Sequence, residues 1–126
     1  MDEITILQAE VLKVLCSPKR LEILHRLAEE PMEVGRLAAE LGVPQPNVSQ
    51  HLAVLRTAGL VEATRDGREI TYRLTDPDVI VACDVMRGVL ERRLARLARI
   101  ADSARMADLL VPVIRQARRQ QAAVAP

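Results

Sequence analysis

Apolar residues recur along this chain with two different periods, and the changes of period divide it into elements. Ile4, Leu7, Val11, Val14 and Leu15 share one face of a helix over about 4–15. Ser17-Pro18 reads as a helix cap followed by a first-turn proline, whose missing N–H costs nothing there. The helix it opens, 18–29, turns Leu21, Leu24, Leu27 and Ala28 to one side and stops at Glu30-Pro31. A helix over 33–41 carries Val34, Leu37, Ala38 and Leu41 and ends at Gly42. After Val43-Pro44 a further helix, 45–57, buries Val48, Leu52 and Leu55. Two short helices joined by a tight turn containing glycine are the pattern of a helix-turn-helix.

The period then drops to two. Residues 60–65 and 69–74 alternate and hold β-branched side chains, and Asp66-Gly67 between them predicts a tight hairpin, a wing. Thr75-Asp76-Pro77 opens a long helix. In it Val79, Cys83, Met86, Leu90, Leu94, Leu97 and Ala101 return at steps of three and four, the seam a helix–helix interface needs. A weaker helix over about 105–120 holds Met106, Leu109, Leu110, Val113 and Ile114, with Pro112 expected to kink it or mark its start. The tail from 120 to 126 is expected to fray. The pattern predicts a mainly α (α+β) winged helix-turn-helix with a two-stranded β-hairpin wing and long terminal dimerisation helices. Residues 1–103 are expected to form this domain, and 104–126 a C-terminal helical extension with a frayed tail.

Composition narrows the function. At 126 residues the chain is sized for one domain, and 49% hydrophobic against 28% charged residues exclude a disordered chain. No apolar run approaches the length of a membrane span, and no apolar signal core follows Met1-Asp2-Glu3. Two cysteines are too few for a disulfide scaffold, so a cytoplasmic location is expected. Tyr72 is the only aromatic residue, which argues against a single-strand nucleic-acid binder, since bases need platforms to stack on. The net charge of +1 hides an asymmetry. Residues 1–84 hold 9 Lys/Arg against 14 Asp/Glu, whereas 85–126 hold 9 Arg against 3 acids, so contact with phosphates must come from local placement of charge.

That placement is sharpest in the helix 45–57. With Val48, Leu52 and Leu55 turned inward, Gln45, Asn47, Ser49, Gln50, His51 and Arg56 are expected outside. Gln and Asn can pair bidentately with adenine edges, and Ser and His serve base edges or phosphates. No acid occurs from Leu41 to Val61, and a surface that meets phosphates must avoid carboxylates. A solvated face of ordinary polar residues is the alternative.

Residues 8–80 resemble the ArsR/SmtB family of bacterial winged-helix repressors. The resemblance is carried by the run from Leu15 to Leu24, by Gln45-Pro46-Asn47-Val48-Ser49-Gln50-His51-Leu52 through Leu55-Arg56, by Gly59-Leu60-Val61, and by the wing from Arg65 to Leu74. Pro44 departs from it, standing where relatives often cap the helix with Ser or Thr. The resemblance implies a homodimer, built by the first and the long last helices, that represses transcription from a pseudo-palindromic double-stranded DNA operator. Two recognition helices would enter successive major grooves ~34 Å apart. Arg65 and Arg68 would flank the wing tip and reach phosphate or the minor groove, or remain solvated charges. Lys19 and Arg36 are backbone contacts or plain surface charge.

The family's inducer sites are known by motif, and two are missing here. The metal pattern D-x-H, with His and Glu 11 and 14 residues beyond, falls on Asp76, Asp78, Val89 and Arg92, a set that would not hold zinc tetrahedrally. Asp76 and Asp78 read instead as the cap and first turn of a helix. A C-x-C thiolate site falls on Glu33 and Gly35. Neither His25 nor His51 has a second His or Cys at helical spacing. No cofactor is expected. Some relatives sense persulfides or oxidants with one cysteine on the second helix and one on the last, an arrangement Cys16 and Cys83 resemble loosely. Their structural readings are a hydrophobic staple between Cys16 and Leu21 and a small apolar residue in the seam for Cys83. A thiol-responsive repressor, a metal- or arsenic-responsive repressor, and a protein-interaction module on a degenerate winged helix stay open. The sequence holds no phosphate loop, nucleophile elbow or ligand cluster, so an enzyme is not expected.

Overall fold

The computed structural model describes residues 1–100 and 103–124. The elements run α1 (Glu3–Leu15), α2 (Pro18–Glu29), β1 (Met32–Glu33), α3 (Val34–Leu41), α4 (Gln45–Thr57), β2 (Val61–Asp66), β3 (Glu69–Leu74), α5 (Asp78–Ile100) and α6 (Ser103–Val124). Among the described residues no helix is long and apolar enough to cross a membrane.

Local chemistry sets the boundaries. Asp2 caps α1 by accepting from the Thr5 amide at 2.7 Å. The buried Ser17 hydroxyl accepts from the Arg20 amide at 3.3 Å and opens α2 with Pro18 behind it, a cap of the kind that contributes about 1 kcal/mol. Gly42 ends α3 in the left-handed region at φ 64°, where a side chain would be strained, and the Val43 amide reaches back to the Ala38 carbonyl. That closure makes the turn to α4 only three residues long. α4 begins without a side-chain cap, because Pro44 stands at the cap position. Asp76 Oδ1 accepts from the Asp78 amide at 2.9 Å, so these two acids start α5 as a cap and first turn.

The core lies between α2, α3, α4 and the sheet. Ile23, Leu24, Leu37, Leu52 and Leu55 are fully enclosed there, joined by Val48, Val61 and Ile80. Leu21 and Ala28, expected on the buried face of α2, are half-buried and exposed, and Ile23 takes the interior position.

The sheet has three antiparallel strands in the order β1-β3-β2, not two. Pro31 stops α2, and the two residues before α3 are left extended; Met32 pairs with Tyr72 and Glu33 with Thr71, which satisfies backbone groups that would otherwise be stranded. The hairpin also turns one residue later than expected. Asp66 pairs with Glu69, so the two central residues are Gly67 and Arg68. Gly67 has φ 63° and Arg68 does not, which is the type II′ arrangement with glycine first. At the base of the sheet Thr75 anchors β3 to the end of α4, its Oγ1 donating to the Gly59 carbonyl at 2.6 Å and its amide to Leu60 at 3.1 Å.

The helices at the two ends are the least covered. α1 has no buried residue and α5 has one, Ile80. α6 runs against α2 and α5 and, at Ser103–Val124, spans more than the expected 105–120; 125 and 126 lie outside the described residues. Pro112 lies inside α6 rather than at its start, leaving the Asp108 carbonyl without its intrahelical donor. Ala101, the last position of the expected seam, is outside the described residues, and of Met106 only its place in α6 is described.

Candidate nucleic-acid interface

α4 carries the candidate reading face. Gln45, Ser49, Gln50 and Arg56 are exposed, and Asn47 is half-buried. Ser49 and Gln50 stand in the first half of the helix, the end that meets base edges in this class of motif. Gln45 leans back toward α3, where a Cβ placed on Gly35 would sit 3.8 Å from its Oε1.

His51 is not on this face. It is 5% exposed and lies with Val48, Leu52 and Leu55 on the inner side of α4. The spacing explains it: His51 is three residues after Val48 and four before Leu55, inside the apolar arc, and its polarity alone suggested the outside. Its ring is buried on the inner side of α4.

The wing places its charges on opposite faces. Strand alternation puts Arg65, Ala63 and Val61 on one face with Ile70, Tyr72 and Leu74, and puts Asp66 and Glu69 on the other. Arg65 is thereby kept apart from the two acids facing each other at the tip. Arg68 occupies the turn itself and is exposed. Among the described residues no carboxylate pairs with Arg56, Arg65 or Arg68. Arg36 differs. It is held by Glu30 and, at 3.5 Å, by Glu40, and the hydrogen bond to Glu30 raises its pKa further above the ordinary guanidinium range. Its charge is matched by acids of its own surface. Lys19 lies 3.7 Å from Glu22.

The two cysteines have different surroundings. Cys16 is exposed at the junction of α1 and α2, its amide donating to the Lys13 carbonyl at 3.2 Å, an exposure that does not fit a staple with Leu21. Cys83 is half-buried on α5, and burial, with the negative Asp84 beside it, pushes its thiol pKa up. A raised pKa starves a thiol of the thiolate that reacts. Iodoacetamide at pH 7 is therefore expected to label Cys16 well before Cys83, read by mass spectrometry of quenched time points; equal rates would contradict the assignment.

One constellation was invisible in the sequence. His25 Nδ1 donates to the Leu21 carbonyl at 2.8 Å, and His25 Nε2 meets Asp84 Oδ1 at 3.1 Å, tying α2 to α5. The partners are 59 residues apart, so no spacing rule could pair them. Among the described residues no three His, Cys, Asp or Glu side chains converge as a metal site would require.

A helix-turn-helix whose second helix is free of acids, followed by a hairpin wing, defines a DNA-binding winged-helix regulator. Comparison with known proteins gives the family. The model described as bacterial regulatory protein, arsR family, matches residues 17–63. Rv0081, an HTH-type transcriptional regulator of Mycobacterium tuberculosis, is 42% identical over 98 residues, 76% of this chain and 86% of its own. The HTH-type transcriptional repressor SmtB of the same organism is 46% identical over 74 residues, 59% of this chain and 55% of that one. The crystal structure of Rv0081 matches with a TM-score of 0.68 at 39% identity, over 80% of this chain and 100% of that one. A homodimeric winged helix-turn-helix DNA-binding domain, Mb0332 from Mycobacterium bovis, matches with a TM-score of 0.64 at 32% identity, over 70% and 82%. The chain belongs to the ArsR family of DNA-binding transcriptional repressors.

Proposed function

We propose that this chain is a homodimeric repressor that reads a two-fold operator with the first half of α4 and leaves it when an inducer acts. The observation that carries the reading is the pairing of exposed Ser49 and Gln50 with a fully packed inner face on a helix free of acids. Gln50 and Ser49 read base edges, with Asn47 and Gln45 at the entry of the helix. Arg56, Arg65 and Arg68, unmatched by carboxylates among the described residues, meet phosphates or the minor groove. α1 and α5 build the dimer, because both leave apolar side chains in water: Ile4 and Leu7 on one, Val85, Met86, Leu90 and Leu94 on the other. The intact reading face favours a repressor over an interaction module.

For the inducer, the exposure of Cys16 at a helix junction favours a thiol-reactive signal, with Cys83 the slower partner. Fluorescence anisotropy on DNA upstream of the protein's own gene tests both levels. Reduced protein is expected to bind that DNA better than a scrambled duplex, and polysulfide treatment to release it, with Cys16→Ser insensitive to treatment. Equal binding before and after treatment would remove the thiol reading and turn the search to metals and small ligands. Equal binding to both duplexes would remove that operator.

A further inference from the structure

Two hydrogen-bond acceptors meet the ring of His25, and a neutral imidazole cannot serve both. Its Nδ1 lies 2.8 Å from the Leu21 carbonyl and its Nε2 3.1 Å from Asp84 Oδ1. A carbonyl and an ionised carboxylate only accept, so each ring nitrogen must carry a hydrogen for both contacts to attract. Neutral histidine has one hydrogen to give. Whichever nitrogen holds it, the other contact sets lone pair against lone pair. The arrangement is therefore that of the imidazolium.

The contact sits at a junction between two bodies. α2 packs against α3, α4 and β3 as part of the reading head, whereas α5 leaves that head. Ile80 is the one buried residue of α5, and Asp84 follows it by one turn on the same side. Beyond that point Val85, Met86 and Val89 are exposed. Arg87 and Glu91 of α5 pair with each other at 3.0 Å rather than with the head. The direction in which α5 departs is thus held by Ile80 and, a turn later, by the bond from Asp84 to His25.

The charged groups around α2 have other partners or lie apart from His25. On α2 itself Lys19 lies 3.7 Å from Glu22, and Arg26 reaches Glu40 of α3 at 4.0 Å. Arg36 of α3 is held by Glu30 and Glu40, and Lys13 of α1 by Glu10. Glu29 stands one turn along α2; β3 brings Glu69, Tyr72 and Arg73, α4 His51 and Arg56, and α6 Arg105, Asp108, Arg115, Arg118 and Arg119. Among the described residues none of these forms an ion pair with His25. Cys83, next to Asp84, has its thiol pKa pushed up by burial, away from the neutral range.

We propose that His25 and Asp84 form a proton-operated clasp between the reading head and the dimer helix α5, complete while both ring nitrogens carry hydrogen and broken on one side when a proton leaves. Histidine ordinarily changes charge between about pH 5 and 8. The clasp favours the protonated folded form, so its contribution is present at the acid end of that range and is lost as pH rises through it. A head held at one angle to α5 keeps the two recognition helices at one spacing, and less order remains to be imposed when DNA binds. That effect on DNA rests on the homodimeric repressor reading; the clasp itself does not.

The test compares the full chain with Asp84→Asn and with His25→Gln at about pH 6 and about pH 8. The two side chains are 40% and 57% exposed, so neither exchange opens a cavity. An asparagine amide donates to a neutral ring nitrogen and its carbonyl accepts from a protonated one, and glutamine does not titrate, so neither variant's link depends on the proton. From the lower pH to the higher, the unaltered protein is expected to lose about 2 °C more in unfolding temperature than either variant, as befits a solvent-exposed ion pair. Its operator affinity is expected to fall about fivefold more than theirs. His51 is present in all three proteins, so its own titration cancels. Equal pH dependence of unfolding in all three overturns the clasp. A difference in unfolding without one in operator affinity overturns its hold on the reading heads. If none of the three binds the operator at either pH, the repressor reading fails, and the unfolding comparison still decides the clasp.

Discussion

Replacing Ser49 and Gln50 together with alanine is expected to erase operator discrimination while the protein stays folded. Both side chains are exposed, so their loss opens no cavity. A bidentate contact to a base is worth about 1–3 kcal/mol of discrimination, and a dimer presents each residue twice. The preference for operator over scrambled DNA should therefore fall by about a hundredfold or more, toward the non-specific level. Non-specific affinity should change little, because it comes from cations, and Arg56, Arg65 and Arg68 are untouched. The contrast is His51→Ala. His51 is 5% exposed, so its truncation should lower the unfolding temperature, with any loss of DNA affinity following from the altered packing of α4. Anisotropy on the two duplexes, with thermal unfolding of each variant, separates the cases. An unchanged specificity ratio in the Ser49/Gln50 variant would show that α4 is not the reading helix.

That contrast also shows what the sequence made legible. α2 and α4 fall where their caps and periods place them, 18–29 and 45–57, because Ser17-Pro18, Gly42 and the Val48-Leu52-Leu55 stripe are local signals that tertiary packing reinforces. The exposure of Ser49 and Gln50 was legible for the same reason, since the stripe turns them outward. What escaped depends on distant partners or on position overriding residue type. β1 has two residues, too few for a period, and exists because β3 offers Tyr72 and Thr71 to pair with. The His25–Asp84 link needs α2 and α5 side by side. The turn shifted to Gly67-Arg68 because pairing of Asp66 with Glu69 completes the ladder, leaving glycine as the first central residue. His51 was misplaced by its polarity although its spacing placed it inside.

The second large effect concerns the dimer. Leu90 and Leu94 are 51% and 47% exposed in the monomer, one helical turn apart on α5, with Val85, Met86 and Val89 alongside. An apolar stripe of this length in water is a standing cost that a second copy removes. Leu90→Glu with Leu94→Glu replaces it with carboxylates that would face apolar side chains or each other across a two-fold axis, and burying such charges unpaired costs far more than the pair of leucines supplied. Sedimentation should show a monomer. Secondary structure should persist, since both positions are already wet in the isolated chain and glutamate suits a helix. Operator affinity should then fall by about a hundredfold or more, because one recognition helix binds without the effective concentration that linkage to the other provides. Thermal unfolding gives an independent sign. The transition of the unaltered protein should rise with protein concentration, as it must when association is coupled to folding, and that of the variant should not. A variant that still sediments as a dimer and binds the operator undiminished would move the interface away from this face of α5.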